Sequence, residues 1–212
     1  LLNTLGEPEK ALGLIKARKF HQWEGGEGKV AAQYLTALYQ LAKAAVEKED
    51  YAEAKELLLR AVGEYPHNLG EGKLESGQEN NLYYLLGLVQ EKLGEAKDAF
   101  ESLTRACCGE SEPVGMMYYN DQPPEMIYYQ GLAYRMLGEE EQAVRRFQKL
   151  VDYGREHIRD DVKIDYFAVS LPDLLIFEEN LNERNRKHCL FMMSLGLKGL
   201  GRIDEAEKCA EE

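Results

Sequence analysis

The chain has 212 residues, carries a formal net charge of −12 and contains 44% hydrophobic residues. It has no cluster of Lys and Arg to contact phosphates, which excludes nucleic acids and anionic membrane surfaces as expected partners. No apolar run approaches the roughly 20 residues of a membrane span, and the first ten residues lack the pattern of a secretory signal.

The first element is a single predicted helix within residues 1–34. The stretch LGEPEKALGLIKARKF has a turn glycine at Gly6 and a small residue at Ala11, as is typical of the second helix of a helix–turn–helix pair. Leu1 is not an initiator methionine. We therefore expect a partial unit over residues 1–34, in a chain that is a segment of a longer protein.

Four predicted helix–turn–helix units follow. They start at Leu35, Asn80, Pro124 and Lys187. In each unit, a small residue in the eighth position faces another in the twentieth, where a larger side chain would push the two helices apart. These pairs are Ala42/Ala54, Gly87/Ala99, Gly131/Ala143 and Ser194/Ala206. The recurring pattern predicts one continuous all-helical array over residues 1–212.

This pattern resembles the tetratricopeptide repeat (TPR), a helix–turn–helix unit of about 34 residues. The resemblance implies an all-α, right-handed superhelix of antiparallel helix pairs, whose first helices line a concave groove that binds a protein or peptide. Carried over to this sequence, it implies these groove residues: Tyr39, Lys43, Tyr84, Lys92, Tyr128, Arg135, His188 and Phe191. The aromatic side chains among them form a ladder that would hold sugars or apolar side chains, or would pack against neighbouring helices.

Inserted segments separate the units, and in repeat proteins such insertions often form the binding face. Gly-Glu-Gly-Lys occurs twice, at residues 26–29 and 70–73. The two copies are interpreted either as ligand loops or as stereotyped turns in which Glu and Lys pair locally. The next insertion carries Tyr118, Tyr119 and Asp121, which we expect either to contact a partner or to cover the helices beneath.

The longest insertion, residues 158–186, is too apolar for a disordered linker and is expected to be ordered. Its sequence predicts a short helix from Ser170 to about Leu181. Three carboxylates precede that helix, and they are Asp160, Asp161 and Asp165. They suit metal or acid–base chemistry, or alternatively helix capping and pairing with neighbouring cations.

Four strings are similar to the C-terminal TPR region of large bacterial multidomain proteins whose N-terminal domain has no known function. They are WEGGEGKV, YPHNLGEGKL, YYNDQPPEMIYYQGLAYR and DDVKIDYFAVSLPDLLIFEENLN. The resemblance implies an accessory module that binds a separate protein, another domain of its own polypeptide, or a second copy, with no catalytic residue, metal or cofactor. The alternative is an all-helical carbohydrate-active enzyme or sugar-binding module that uses the inserted carboxylates and aromatic residues.

Cysteine usage points to the expected compartment. Cys107, Cys108, Cys189 and Cys209 show no metal-ligand spacing. A reducing, cytoplasmic setting is therefore expected.

Overall fold

The computed structural model describes residues 1–22, 26–73, 78–115, 122–163 and 180–212. Within these ranges the chain is all-helical and contains no strand, which confirms the predicted fold class. The helices are α1 (Pro8–Lys16), α2 (Lys29–Glu47), α3 (Tyr51–Val62), α4 (Asn80–Lys92), α5 (Ala96–Ala106), α6 (Pro124–Met136), α7 (Glu140–His157), α8 (Leu181–Gly199) and α9 (Ile203–Glu211). Residues 170–179 of the helix predicted from Ser170 lie outside the described residues, as do Tyr118, Tyr119, Asp121 and Asp165.

The chain divides into two compact units, Leu1–Arg105 and Ala106–Glu212. In the first unit, α1 packs on α2, α2 on α3 and α3 on α4. In the second unit, α6 packs on α7, α7 on α8 and α8 on α9. The prediction of one continuous array with a right-handed superhelix concerns how the two units are arranged, and it stays a prediction.

The two helices of a pair are joined by the same tight turn in each described unit. The turn glycines have φ of 78° at Gly94, 81° at Gly138 and 76° at Gly201. Glu49 takes this left-handed conformation with φ of 59°, although it has a side chain. The N–H of Asp50 still donates to the Ala45 carbonyl oxygen at 2.9 Å. The missing glycine therefore leaves the turn intact.

Small residues lie where the helices of the first unit cross. Ala42 and Ala54 are both fully buried. A Cβ atom added to Gly87 would lie 2.6 Å from Leu103 Cγ and 3.3 Å from the Ala99 carbonyl oxygen. At these positions the helices are therefore as close as the repeat pattern predicts.

Phe147 of α7 is the fully buried centre of the second unit. A Cβ atom at Gly131 of α6 would lie 2.4 Å from one edge of its ring, and one at Gly199 of α8 would lie 2.2 Å from another ring carbon. The Arg135 guanidinium lies over the same ring, 4.9 Å from its centroid. One aromatic ring thus joins three helices.

Two first helices begin earlier than the predicted units. The helix α2 begins at Lys29 rather than Leu35, and α8 begins at Leu181 rather than Lys187. Asn180 caps α8, because its side-chain oxygen accepts from backbone N–H groups in the first turn, at 3.1 and 3.2 Å. Across the described ranges, no helix has both the length and the apolar character needed to cross a membrane.

Candidate partner-binding site

The second unit contains a cleft of about 310 Å³ between the start of α6 and the first half of α8. It is lined by Gly115, Pro123, Pro124, Glu125, Arg184, His188 and Phe191. Two of the predicted groove residues, His188 and Phe191, are therefore brought together. Arg184 was not predicted.

One face of α8 supplies the long side chains of this cleft. Arg184, His188 and Phe191 are four and three residues apart, so they lie on one side of the helix. Cys189 and Met192 are fully buried in the core of the unit. This packing fixes the rotation of α8 and leaves the Phe191 side chain 46% exposed.

Hydrogen bonds fix the wall of the cleft near His188. Its Nε2 atom lies 2.8 Å from the Val114 carbonyl oxygen. Because a carbonyl only accepts, Nε2 carries the proton in this contact. Glu112, in the same segment, forms an ion pair with Lys149 of α7. The segment before the cleft is therefore tied to both α7 and α8.

The cleft combines an exposed aromatic ring with side chains of opposite charge. Phe191 offers apolar contact area, and Glu125 and Arg184 lie in the same lining. Interfaces commonly join a buried aromatic anchor to a polar, charged rim. The arrangement suits a peptide or loop that inserts one apolar side chain and presents charges beside it.

Two other predicted groove residues of the second unit make structural contacts. The Arg135 guanidinium donates to the Glu140 carboxylate at 2.7 and 2.9 Å and to the Gly199 carbonyl oxygen at 2.8 Å. The hydrogen bond from Arg135 lowers the pKa of Glu140. Tyr128 is half-buried, with its ring centroid 5.7 Å from that of Phe147, and burial raises its pKa. Partner binding by Arg135 and Tyr128 stays a prediction.

The predicted groove residues of the first unit lie on α2 and α4. The Lys43 ammonium is 5.8 Å from the centroid of the Tyr39 ring, so these two side chains are neighbours. Tyr84 is half-buried near the start of α4, whereas Lys92 is exposed at its end. Their separation along the helix is about 12 Å at 1.5 Å per residue. The structure brings together the first two residues but not the second two.

The carboxylates of the long insertion that the structure describes are engaged with neighbours. Asp160 lies 2.7 Å from Nδ1 of His157. Asp161 accepts from the Asn182 amide at 3.2 Å and lies 3.4 Å from Lys163 Nζ, and the hydrogen bond from Asn182 is the main cause of its lowered pKa. Among the described residues, no group of three His, Cys, Asp or Glu side chains could hold a metal ion.

The two Gly-Glu-Gly-Lys copies contact each other. The Glu71 carboxylate accepts from the backbone N–H groups of Gly28 at 2.8 Å and Ala31 at 3.1 Å. It therefore caps the start of α2 from a distant loop. Lys73 pairs with Glu79 at 2.6 Å. Only one glycine of each copy has positive φ, Gly28 at 73° and Gly70 at 77°, and the two lie at different positions of the motif, so the copies do not form the same turn. In the second copy, Glu71 and Lys73 pair with other residues and not with each other.

The family model of the tetratricopeptide repeat matches residues 36–68 and 125–153. The first segment contains most of α2 and all of α3, and the second contains nearly all of α6 and most of α7. The chain thus contains TPR-type helix pairs, as the sequence pattern predicted.

Two solved structures are similar to this chain at 18% identity, and their descriptions are "Crystal structure of MamA" and "Crystal structure of MamA protein". Each alignment covers 99% of this chain, and they cover 88% and 82% of the two MamA chains, with TM-scores of 0.35 and 0.34. Structural similarity at these TM-scores supports no conclusion about function.

Proposed function

We propose that this chain is a non-catalytic TPR-type interaction module that holds a peptide or a partner domain in the cleft between α6 and α8. The observation that carries this proposal is the position of His188 and Phe191 in that cleft. Both occupy groove positions of the repeat pattern, and the cleft borders a segment that matches the repeat model.

Phe191 is the expected anchor of the interface. Its ring is 46% exposed in the free chain, although large apolar side chains are usually buried. Truncation of a well-packed aromatic anchor commonly costs about 2 kcal/mol or more of binding free energy. Arg184 and Glu125 are expected to select the charges beside the inserted side chain and to affect the association rate.

The proposal is tested by comparing Phe191→Ala with Phe100→Ala. Both residues are exposed phenylalanines, 46% and 62%, but Phe100 lies on α5 and not in the cleft. The purified chain is immobilised, partners are captured from a bacterial lysate, and the best-enriched protein is then purified and titrated against each variant. We expect Phe191→Ala to raise the dissociation constant of the complex at least tenfold, which is about 1.4 kcal/mol of binding free energy. Phe100→Ala should leave the dissociation constant unchanged.

Two results would contradict the proposal. One is equal affinity of the Phe191→Ala variant and the unmodified chain. The other is a loss that occurs only with Tyr39→Ala or Tyr84→Ala, which would place binding on the first unit.

The setting that we propose is the reducing cytoplasm of a bacterium, with the partner either a separate protein, another domain of the same polypeptide, or a second copy. None of the four cysteines forms a disulfide, which supports a reducing compartment. The bacterial setting follows from the resemblance of the inserted strings.

A further inference from the structure

A second cleft, of about 370 Å³, lies in the first unit between α3, α4 and α5. Each of the three helices contributes residues three or four positions apart, so one face of each helix lines the cleft. All of the lining residues lie between positions 55 and 105, within the first unit. The cleft is therefore separate from the site on α6 and α8.

The two cations in the lining already contact side chains of their own unit. The Lys55 ammonium lies 2.6 Å from both carboxylate oxygens of Glu95. The Arg105 guanidinium donates to the Tyr83 hydroxyl at 3.1 Å and lies 5.5 Å from the centroid of the same ring. Neither cation is therefore available to neutralise the carboxylates that line the cleft.

Two carboxylates in the lining have little compensation of their charge. Asp98 and Glu101 are exposed and lie three residues apart on α5, so they share one face of the helix. Among the described residues, the Asp98 side chain has no hydrogen-bond or ion-pair partner. Glu101 approaches only Lys97, at 3.8 Å, and both side chains are mostly exposed. Since exposed pairs of this kind contribute little, the cleft attracts a cation.

A polar side chain that is almost fully buried also opens into the cleft. Gln90 is 5% exposed and lines the cleft, so its remaining accessible area faces the cleft. Its Oε1 atom accepts from the Ser102 hydroxyl at 2.7 Å. Within the part of the chain that the structure describes, no group accepts a hydrogen bond from its amide nitrogen. A donor left without an acceptor is unfavourable, so a ligand that brings an acceptor to Gln90 would gain affinity.

The wall opposite the carboxylates is apolar. Leu59 of α3 lines the cleft and is 46% exposed, although large apolar side chains are usually buried. Leu86 of α4, which also lines the cleft, is 2% exposed. The cleft thus combines apolar contact area with carboxylates, as the long stem and charged head of a basic side chain require.

We propose that this cleft is a docking site for an extended segment of a partner protein that inserts one arginine. The stem of the arginine lies on Leu59, and its guanidinium donates to Asp98 and Glu101, for which its several fixed donors are suited. A backbone carbonyl oxygen beside the arginine accepts from Gln90. The segment is extended, because the carbonyl groups inside a helix already accept hydrogen bonds.

The sequence of this chain argues against its own copies as the source of the arginine. The segments outside the described ranges contain no Lys or Arg, so they cannot supply the cation. Each copy carries a net charge of −12, which opposes the approach of a second copy to an acidic cleft and favours a basic partner.

The test titrates the isotope-labelled full chain with the tripeptide acetyl-Ala-Arg-Ala-amide, up to about 10 mM, and follows the amide signals by NMR. We expect shifts confined to α3, α4 and α5, including the side-chain amide signal of Gln90. The same tripeptide with citrulline, which has the shape of arginine without its charge, should bind at least about fivefold more weakly.

A pair of matched double variants locates the site. Asp98→Asn combined with Glu101→Gln should raise the dissociation constant of the arginine peptide at least about fivefold. Glu53→Gln combined with Glu56→Gln is the control, because these exposed glutamates are also three residues apart but lie on α3 outside the cleft. The control should leave the dissociation constant unchanged.

Three results would overturn the proposal. They are an absence of shifts at the highest peptide concentration, equal binding of the arginine and citrulline peptides, and an equal loss of affinity in the two double variants. Sedimentation of the unmodified chain tests the source of the segment, and we expect a monomer. A dimer that the Asp98→Asn and Glu101→Gln changes dissociate would show that a second copy occupies the cleft, and it would overturn the assignment to a partner protein.

Discussion

Replacement of Gly131 by alanine tests whether the Phe147 ring is held as tightly as the structure indicates. In the middle of a helix, Gly→Ala usually stabilises by about 0.5–1 kcal/mol, since alanine loses less conformational entropy on folding. Here the new Cβ would lie 2.4 to 2.9 Å from three ring atoms of Phe147. The ring is fully buried in a packed core, so it has little free space into which it could move. Overpacking of this kind costs about 1–3 kcal/mol, so we expect a net loss of stability.

The matched control is Gly13→Ala in α1, where nothing lies within 4 Å of the added Cβ. This variant should be stabilised by about 0.5–1 kcal/mol. Urea unfolding followed by circular dichroism measures both changes, and hydrogen exchange of α6 and α1 assigns each to its own unit. If Gly131→Ala is as stabilising as Gly13→Ala, the ring is not confined and the packing argument is wrong. Combining Gly131→Ala with Phe147→Leu should cost less than the sum of the two single changes.

Three further predictions concern single side chains. Glu71→Ala should lower the free energy of unfolding in urea by about 1 kcal/mol and speed hydrogen exchange in the first turn of α2, because that turn loses its cap. Glu27→Ala, in the first Gly-Glu-Gly-Lys copy, is the control and should change neither quantity. Burial raises the pKa of Cys189 to about 11, so the exposed Cys108 should react first with iodoacetamide at pH 8, and Cys108→Ala should remove that fast reaction. Burial, followed by two nearby glutamates, raises the pKa of Tyr65 from 10.0 to about 12, which favours the protonated ring in the folded chain. Its contribution to stability is therefore complete below pH 10 and falls as the pH rises toward 12, and Tyr65→Phe should flatten this fall in pH-dependent urea unfolding.

Contacts within a helix pair were predictable because a short turn fixes the spacing between their residues. Gly87 and Ala99 meet as the repeat pattern requires. Contacts between successive pairs were not predictable from a pattern that describes one pair. A Cβ at Gly196 would lie 2.5 Å from the Phe147 carbonyl oxygen, and one at Gly154 would lie 2.6 Å from that of Cys189. These glycines fall outside the repeat positions, and their role depends on how α8 stacks on α7.

The repeat pattern predicted only part of the candidate site, because one of the residues of the site lies outside the predicted units. His188 and Phe191 occupy groove positions, whereas Arg184 lies before the predicted start of the fourth unit. A signal was present in the sequence, since Asn180 followed by Glu183 has the spacing of a capping box. The cap that Glu71 provides to α2 had no such signal, because its hydrogen bond to Gly28 joins residues 43 apart in the chain.

The confinement of Phe147 also restricts which substitutions the second unit can accept during evolution. Gly131 and Gly199 both lie against the one ring, so the three positions share a single fixed volume. Replacement of either glycine by a residue with a side chain requires a smaller residue at position 147. The smaller residue would remove the aromatic ring over which the Arg135 guanidinium lies. Substitutions at these positions are therefore expected to arise together, as a correlated set, and not one at a time.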